Sequence, residues 1–230
     1  MPPGLAWLGA TGFVVAYRSY RESAERGMLM RLFSQHVSKE VAEAIWRDRE
    51  QFAGGGRPRP QRLVVTALFT DLTGFTTVSE RVGPESLMDW LNEYMGALAP
   101  EISGHGGVIR QYAGDSIVAL FGVPVPRRTE AEIARDAVNA VRCALALERR
   151  LLELNQVWLA AGRPVTGMRV GIVTGAAVSG TLGSTDRWEY VVVGDTLNTA
   201  SRLESFDKDV HPPDPLTRPC RTLIGDSTHA

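Results

Sequence analysis

Asp71 closes the apolar run Leu63 to Thr70 within LFTDLTGFTTVSE (68–80). Asp115 sits in the turn Gly114-Asp115, between the apolar runs Val108–Ala113 and Ser116–Phe121. An aspartate that ends a strand or fills a turn is ordinary on its own. Two that converge have hard oxygens suited to Mg²⁺ or Mn²⁺. A pair of such ions about 3.5–4 Å apart clamps the attacking and leaving oxygens of a phosphoryl displacement. The loop Leu72-Thr73-Gly74-Phe75-Thr76 leads into a helical pattern, so its backbone N–H groups can cradle phosphates as helix N-termini do. Asn198 and Arg202 stand one helical turn apart in GDTLNTASRLES and share a face. Arg can stabilise charge on a transferring phosphoryl group, and Asn can position or donate to it. The plainer reading of that pair is a solvent-facing surface helix. Taken together, these residues suggest a nucleoside triphosphate handled with metals.

The elements that must carry them follow from periodicity. Strand one is Leu63–Thr70, and a helix over Pro84–Ala99 starts with proline in its first turn. Strands two and three are Val108–Ala113 and Ser116–Phe121, joined by a hairpin turn. A long helix runs over Glu130–Leu159, with Ile133, Ala137, Val141, Ala144, Leu145 and Leu152 expected on its apolar side. Strand four is Met168–Val173. The fold class is α+β: a ferredoxin-like βαββαβ core with an antiparallel sheet, extended by additional strands and a short helix. The additions are strands at Ala176–Leu182 and Trp188–Val193, a helix at Asp195–Ser205 and a polar loop at His211–Pro219. In that topology strand one lies antiparallel beside strand three. Asp71 and the hairpin residue Asp115 should therefore meet at one sheet edge.

The chain of 230 residues has a formal net charge of -1 and 44% hydrophobic residues, which suits one globular domain with appendages. Near-neutral charge offers no basic face for nucleic acid. Cys143 and Cys220 have no C-x-x-C spacing, and His36, His105, His211 and His229 are scattered, so neither a disulfide framework nor a zinc site is expected. Residues 1–17 include the uncharged apolar run Gly4 to Tyr17, followed by Arg18, Arg21 and Arg26. A spanning helix needs about 20 residues, and basic residues flank the cytoplasmic end of a span. We expect the tail of a membrane helix here, which places the chain at the cell membrane with its folded domain in the cytoplasm; a buried soluble helix is the alternative. Residues 18–53 are expected to form a helix, 54–60 a Gly/Pro linker, and 61–230 one domain.

Three motifs in order, LFTDLTGFT, GGVIRQYAGDSIVALFG and YVVVGDTLNTASRLESFDK, resemble those of the class III nucleotide cyclases over roughly residues 60–228. The start of the chain resembles the last membrane helix and, at residues 18–53, the coupling helix of bacterial receptor-type members, and the resemblance implies that the catalytic domain, 61–230, is truncated at its C-terminus. The resemblance implies conversion of ATP or GTP to the 3′,5′-cyclic nucleotide and pyrophosphate, in signal transduction, by a head-to-tail homodimer with composite sites. Asp71 and Asp115 match the family's metal aspartates, and Leu72 to Thr76 its phosphate-binding turn. Asn198 matches the ribose-orienting residue and Arg202 the one that stabilises the transition state, both supplied by the other subunit. Gln111 stands where many adenylyl cyclases carry a base-reading lysine, and Val191 stands at its partner position, commonly Asp or Thr. Gln donates and accepts, whereas valine does neither. ATP is favoured on family frequency, with GTP open. A regulatory nucleotide-binding module with lost turnover is the main alternative. A diguanylate cyclase or polymerase on the same kind of sheet is a third, disfavoured by the Ala-Gly-Asp-Ser hairpin.

Overall fold

The computed structural model describes residues 60–184, 187–208 and 210–229. The expected membrane tail (1–17), coupling helix (18–53) and all but the last residue of the linker (54–60) lie outside the described residues. Among the described residues no helix is long and apolar enough to cross a membrane.

The elements are β1 (Gln61–Leu72), α1 (Phe75–Arg81), α2 (Pro84–Gly104), β2 (Val108–Ala113), β3 (Ser116–Phe121), α3 (Glu130–Ala160), β4 (Met168–Ser184), β5 (Arg187–Val193), α4 (Asp195–Glu204), β6 (Cys220–Ile224) and α5 (Asp226–His229). The sheet runs β2-β3-β1-β4-β5, with β6 added against β4. All pairings are antiparallel except β4–β6. The βαββαβ core and its curled antiparallel sheet match the expectation.

β1 is the central strand. Thr66, Ala67 and Leu68 are at most 1% exposed, as a strand covered on both faces requires. One face packs on α2 and α3: Leu68, Ile117, Phe121, Met168 and Val170 join Trp90, Tyr94, Leu98, Leu147, Leu151 and Trp158 in one core. Trp90 and Trp158 lie 4.9 Å apart between ring centroids, each with its indole N–H bonded, to Pro164 O and Glu93 Oε2. α3 begins at a capping box in which Glu132 N donates to Thr129 Oγ1 and Thr129 N to Glu132 Oε2. Its buried stripe is Ala140, Ala144, Leu147, Leu151, Leu154 and Trp158. Leu145, expected inside, is 53% exposed.

α4 covers the other face. It lies so close that a Cβ on Gly171 would collide with the Ala200 carbonyl oxygen and sit 2.5 Å from Glu204 N. Similarly, a Cβ on Gly175 would sit 2.6 Å from Thr196 Oγ1. This explains one difference from the sequence reading. The expected strands Met168–Val173 and Ala176–Leu182 are one unbroken strand, Met168–Ser184. Gly175 admits a helix and does not turn the chain. β1 occupies one side of β4, while β6 and β5 share the other side, at the start and end of β4 respectively. β6 is an addition that the sequence reading missed.

Candidate active site

Asp71 stands on β1 directly across the ladder from Arg169 on β4. Its Oδ1 accepts from Ser116 Oγ at 2.8 Å, and its Oδ2 accepts from Arg169 Nη2. Asp115 follows Gly114, whose φ of 65° turns the β2–β3 hairpin. Asp115 Oδ2 accepts the Leu72 N–H at 3.2 Å. The hairpin tip and the end of β1 are thus tied together, and the two carboxylates share one sheet edge. Burial, and next the charge of Asp71, push the Asp115 carboxyl above the ordinary aspartate range. A pair of mutually repelling carboxylates is the kind of site that a divalent cation relieves. Among the described residues no group of three or more His, Cys, Asp or Glu side chains gathers as a metal site. Two carboxylates leave the remaining coordination to water and substrate phosphates, a donor set that fits Mg²⁺ or Mn²⁺.

The turn after Asp71 is held from below. Thr73 N donates to Gly167 O at 2.9 Å, Gly167 N donates to Thr73 Oγ1, and Thr166 Oγ1 donates to Thr73 O. Fully buried Asn155 anchors that strap, accepting from Thr166 N and donating to the carbonyls of Thr166 and Pro215. Of the five amides expected to cradle phosphate, two are engaged within the protein. Leu72 and Thr73 have committed their N–H groups to protein acceptors. Gly74, Phe75 and Thr76 have no backbone acceptor among the described residues. Gly74 adopts φ 72° at the start of α1, a conformation that favours glycine.

Asn198 and Arg202 lie on α4, both exposed, while Thr196, Leu197, Ala200 and Glu204 form its buried side. Neither bonds to Asp71 or Asp115 in this chain. Gln111 is exposed on β2, beside a register shift, and accepts from Arg110 Nη1 at 3.3 Å. Val191 is half-buried on β5, opposite Gly180. Those two strands end the sheet path, and no hydrogen bond joins the pair.

Two arginines escaped the sequence reading. Arg169, buried in β4, bridges Asp71 and Glu204, with Nε 2.8 Å from Glu204 Oε1. Its register partner on β6, Arg221, donates to the carbonyls of Glu204, Phe206, Asp207 and Val210 around the C-terminal end of α4. Burial raises the Glu204 carboxyl above its usual range, and the bond from Arg169 opposes that rise. The available signal was a charge inside each apolar run, MRVGIV and CRTLI, since a buried charge requires a partner.

Residues 59–211 match the family model for the adenylate and guanylate cyclase catalytic domain. The chain is 41% identical over 177 residues to adenylate cyclase 1 of Rhizobium meliloti, an alignment covering 77% of this chain and 25% of that protein. The chain therefore spans about a quarter of the length of that curated relative. Among solved structures, the adenylyl cyclase CyaB from P. aeruginosa superposes with a TM-score of 0.64 at 32% identity, covering 75% of this chain and 81% of that one. The guanylyl cyclase Cya2 gives 0.58 at 39% identity, covering 64% and 71%.

Proposed function

The chain belongs to the adenylate and guanylate cyclase catalytic-domain family, and on that premise we propose that it converts ATP, with GTP the alternative substrate, to the 3′,5′-cyclic nucleotide and pyrophosphate. The observation that carries this is the meeting of Asp71 and Asp115 at one edge, beside a turn whose Gly74, Phe75 and Thr76 N–H groups have no backbone acceptor among the described residues. The 3′ oxygen forms a bond to the α-phosphorus, the bond from that phosphorus to the bridging oxygen breaks, pyrophosphate leaves, and the hydroxyl proton passes to solvent. Mg²⁺ or Mn²⁺ held by Asp71 and Asp115, two per site, would supply Lewis acidity at the phosphate oxygens and ease loss of the 3′ proton. The amides of Gly74 to Thr76 bind phosphate oxygens. Arg202 stabilises the charge that grows as the pyrophosphate leaves, and Asn198 orients the ribose.

Exposure of Asn198 and Arg202, neither bonded to Asp71 or Asp115, supports their service to a second subunit. In this reading the protein is a homodimer with composite sites, acting in signal transduction, and is held at the membrane through residues 1–17 with the catalytic domain cytoplasmic. Fractionation of cells producing the full chain tests that anchor: the chain should sediment with membranes, and removal of residues 1–17 should release it. Recovery of the intact chain in the soluble fraction would refute the anchor.

The decisive assay is incubation with ATP and with GTP plus Mn²⁺, resolving products by chromatography. Cyclic product with equimolar pyrophosphate is expected. A second reading, a nucleotide-binding module without turnover, is favoured by Gln111 and Val191 at the base-reading positions. It is supported if nucleotide binds and neither cyclic product forms.

A further inference from the structure

We propose that Glu204 is a positioning residue for cation binding at Asp71, acting through Arg169; this rests on the cyclase reading above. Arg169 Nη2 holds Asp71 Oδ2, and Arg169 Nε holds Glu204 Oε1 at 2.8 Å. The side chains of Arg169, Glu204 and Asp71 are 9%, 11% and 27% exposed. One largely buried guanidinium is therefore divided between two carboxylates, and among the described residues it pairs with no other. The second Asp71 oxygen is already engaged by Ser116 Oγ. A cation must work with the lone pairs that remain, so the strength of the Arg169 hold sets how available Asp71 is.

Glu204 weakens that hold in two ways with one sign. It draws the guanidinium towards itself, and it adds a negative charge near the edge that a cation must approach. Both effects are strengthened by burial. Glu204 is also fixed in place. Its backbone N lies where a Cβ on Gly171 would be only 2.5 Å away, and its carbonyl accepts from Arg221 Nη2 at 3.3 Å. Its carboxylate therefore keeps its distance from Arg169 without searching.

The test titrates Mn²⁺ into the full chain, following free Mn²⁺ by electron paramagnetic resonance, for wild type, Glu204→Gln and Glu204→Asp. The metal concentration for half-maximal cyclase activity is measured alongside. Glu204→Gln keeps the size and a hydrogen-bonding end but deletes the charge. It should weaken Mn²⁺ binding about five- to tenfold, the scale of one typical net hydrogen bond. The metal requirement should rise by the same factor, while turnover at saturating metal stays within about twofold. Glu204→Asp keeps the charge one methylene further away and should fall between. It carries the comparison if the Gln variant does not fold. Unchanged Mn²⁺ affinity in a folded variant, with turnover lowered at every metal concentration, would overturn the proposal and make Glu204 a purely structural contact. Wild-type protein that binds Mn²⁺ but forms no cyclic nucleotide would overturn the cyclase reading alone, because the titration still reads Glu204.

Discussion

The Asp115 carboxylate is half-buried, accepts one backbone N–H and faces Asp71. Its folded pKa lies above the unfolded value, so its contribution to stability is fully present below the unfolded pKa and is lost as pH rises through the folded one. Above the folded pKa, with metal chelated, the ionised group opposes folding. Asp115→Asn keeps an acceptor for Leu72 N–H and removes the repulsion. It should raise the melting temperature in chelator while lowering cyclase activity about 100-fold or more. Asp71→Asn should lose activity comparably; a folded variant of either kind with most turnover intact would refute the two-carboxylate site. Glu93 behaves oppositely. The Trp158 indole N–H and Arg163 hold it below the usual range, so its contribution is present above the unfolded pKa and is lost as pH falls through the folded one. Acid melts of wild type and Glu93→Gln should converge at low pH. The proposed base-reading positions give another prediction: Gln111→Lys with Val191→Thr should raise the ATP-over-GTP ratio of kcat/KM by about tenfold. A wild type that already rejects GTP by orders of magnitude would show that other groups read the base. Asp71 and Asp115 were legible in sequence because each interrupts an apolar run where a turn must form. Arg169 and Glu204 were not paired in advance, because their contact depends on a helix crossing a strand, which no local pattern encodes.

At the scale of elements, the contact between α4 and β4 is the most demanding packing near the site. Gly171 lets the helix backbone rest on the strand, and a methyl group there has only the Ala200 carbonyl and the Glu204 amide to displace. Gly171→Ala should cost about 3 kcal/mol in denaturant unfolding and lower activity further by tilting the helix that carries Asn198 and Arg202. A variant with wild-type stability and activity would show that α4 yields more easily than its contacts imply. The same contact explains why β4 was read as two strands. Val173-Thr174-Gly175-Ala176 has the composition of a turn, and only the presence of Thr196 above Gly175 reveals a close approach. β6 was missed for a related reason. It is short, follows the proline-bearing loop and carries buried Arg221, and its parallel pairing to β4 is long-range. The apolar runs of β1 and β3 and the turn residues between β2 and β3 could be read directly, because their signals are local.

At the scale of the whole molecule, Asn198 and Arg202 are exposed on α4 and bond to neither Asp71 nor Asp115 of the same chain. The proposed chemistry needs both pairs in one site, and a head-to-tail homodimer supplies both twice. The measurement is a complementation. Asp71→Asn protein and Arg202→Ala protein, each nearly inactive alone, are mixed under conditions where subunits exchange, and cyclic nucleotide formation is followed. Random pairing makes half the dimers mixed, and each mixed dimer has one site with both lesions and one with neither. About a quarter of wild-type activity should return if sites act independently. If Asp71 and Arg202 served the same chain's site, every site would carry one lesion. No recovery, with exchange of subunits shown separately, would contradict the account.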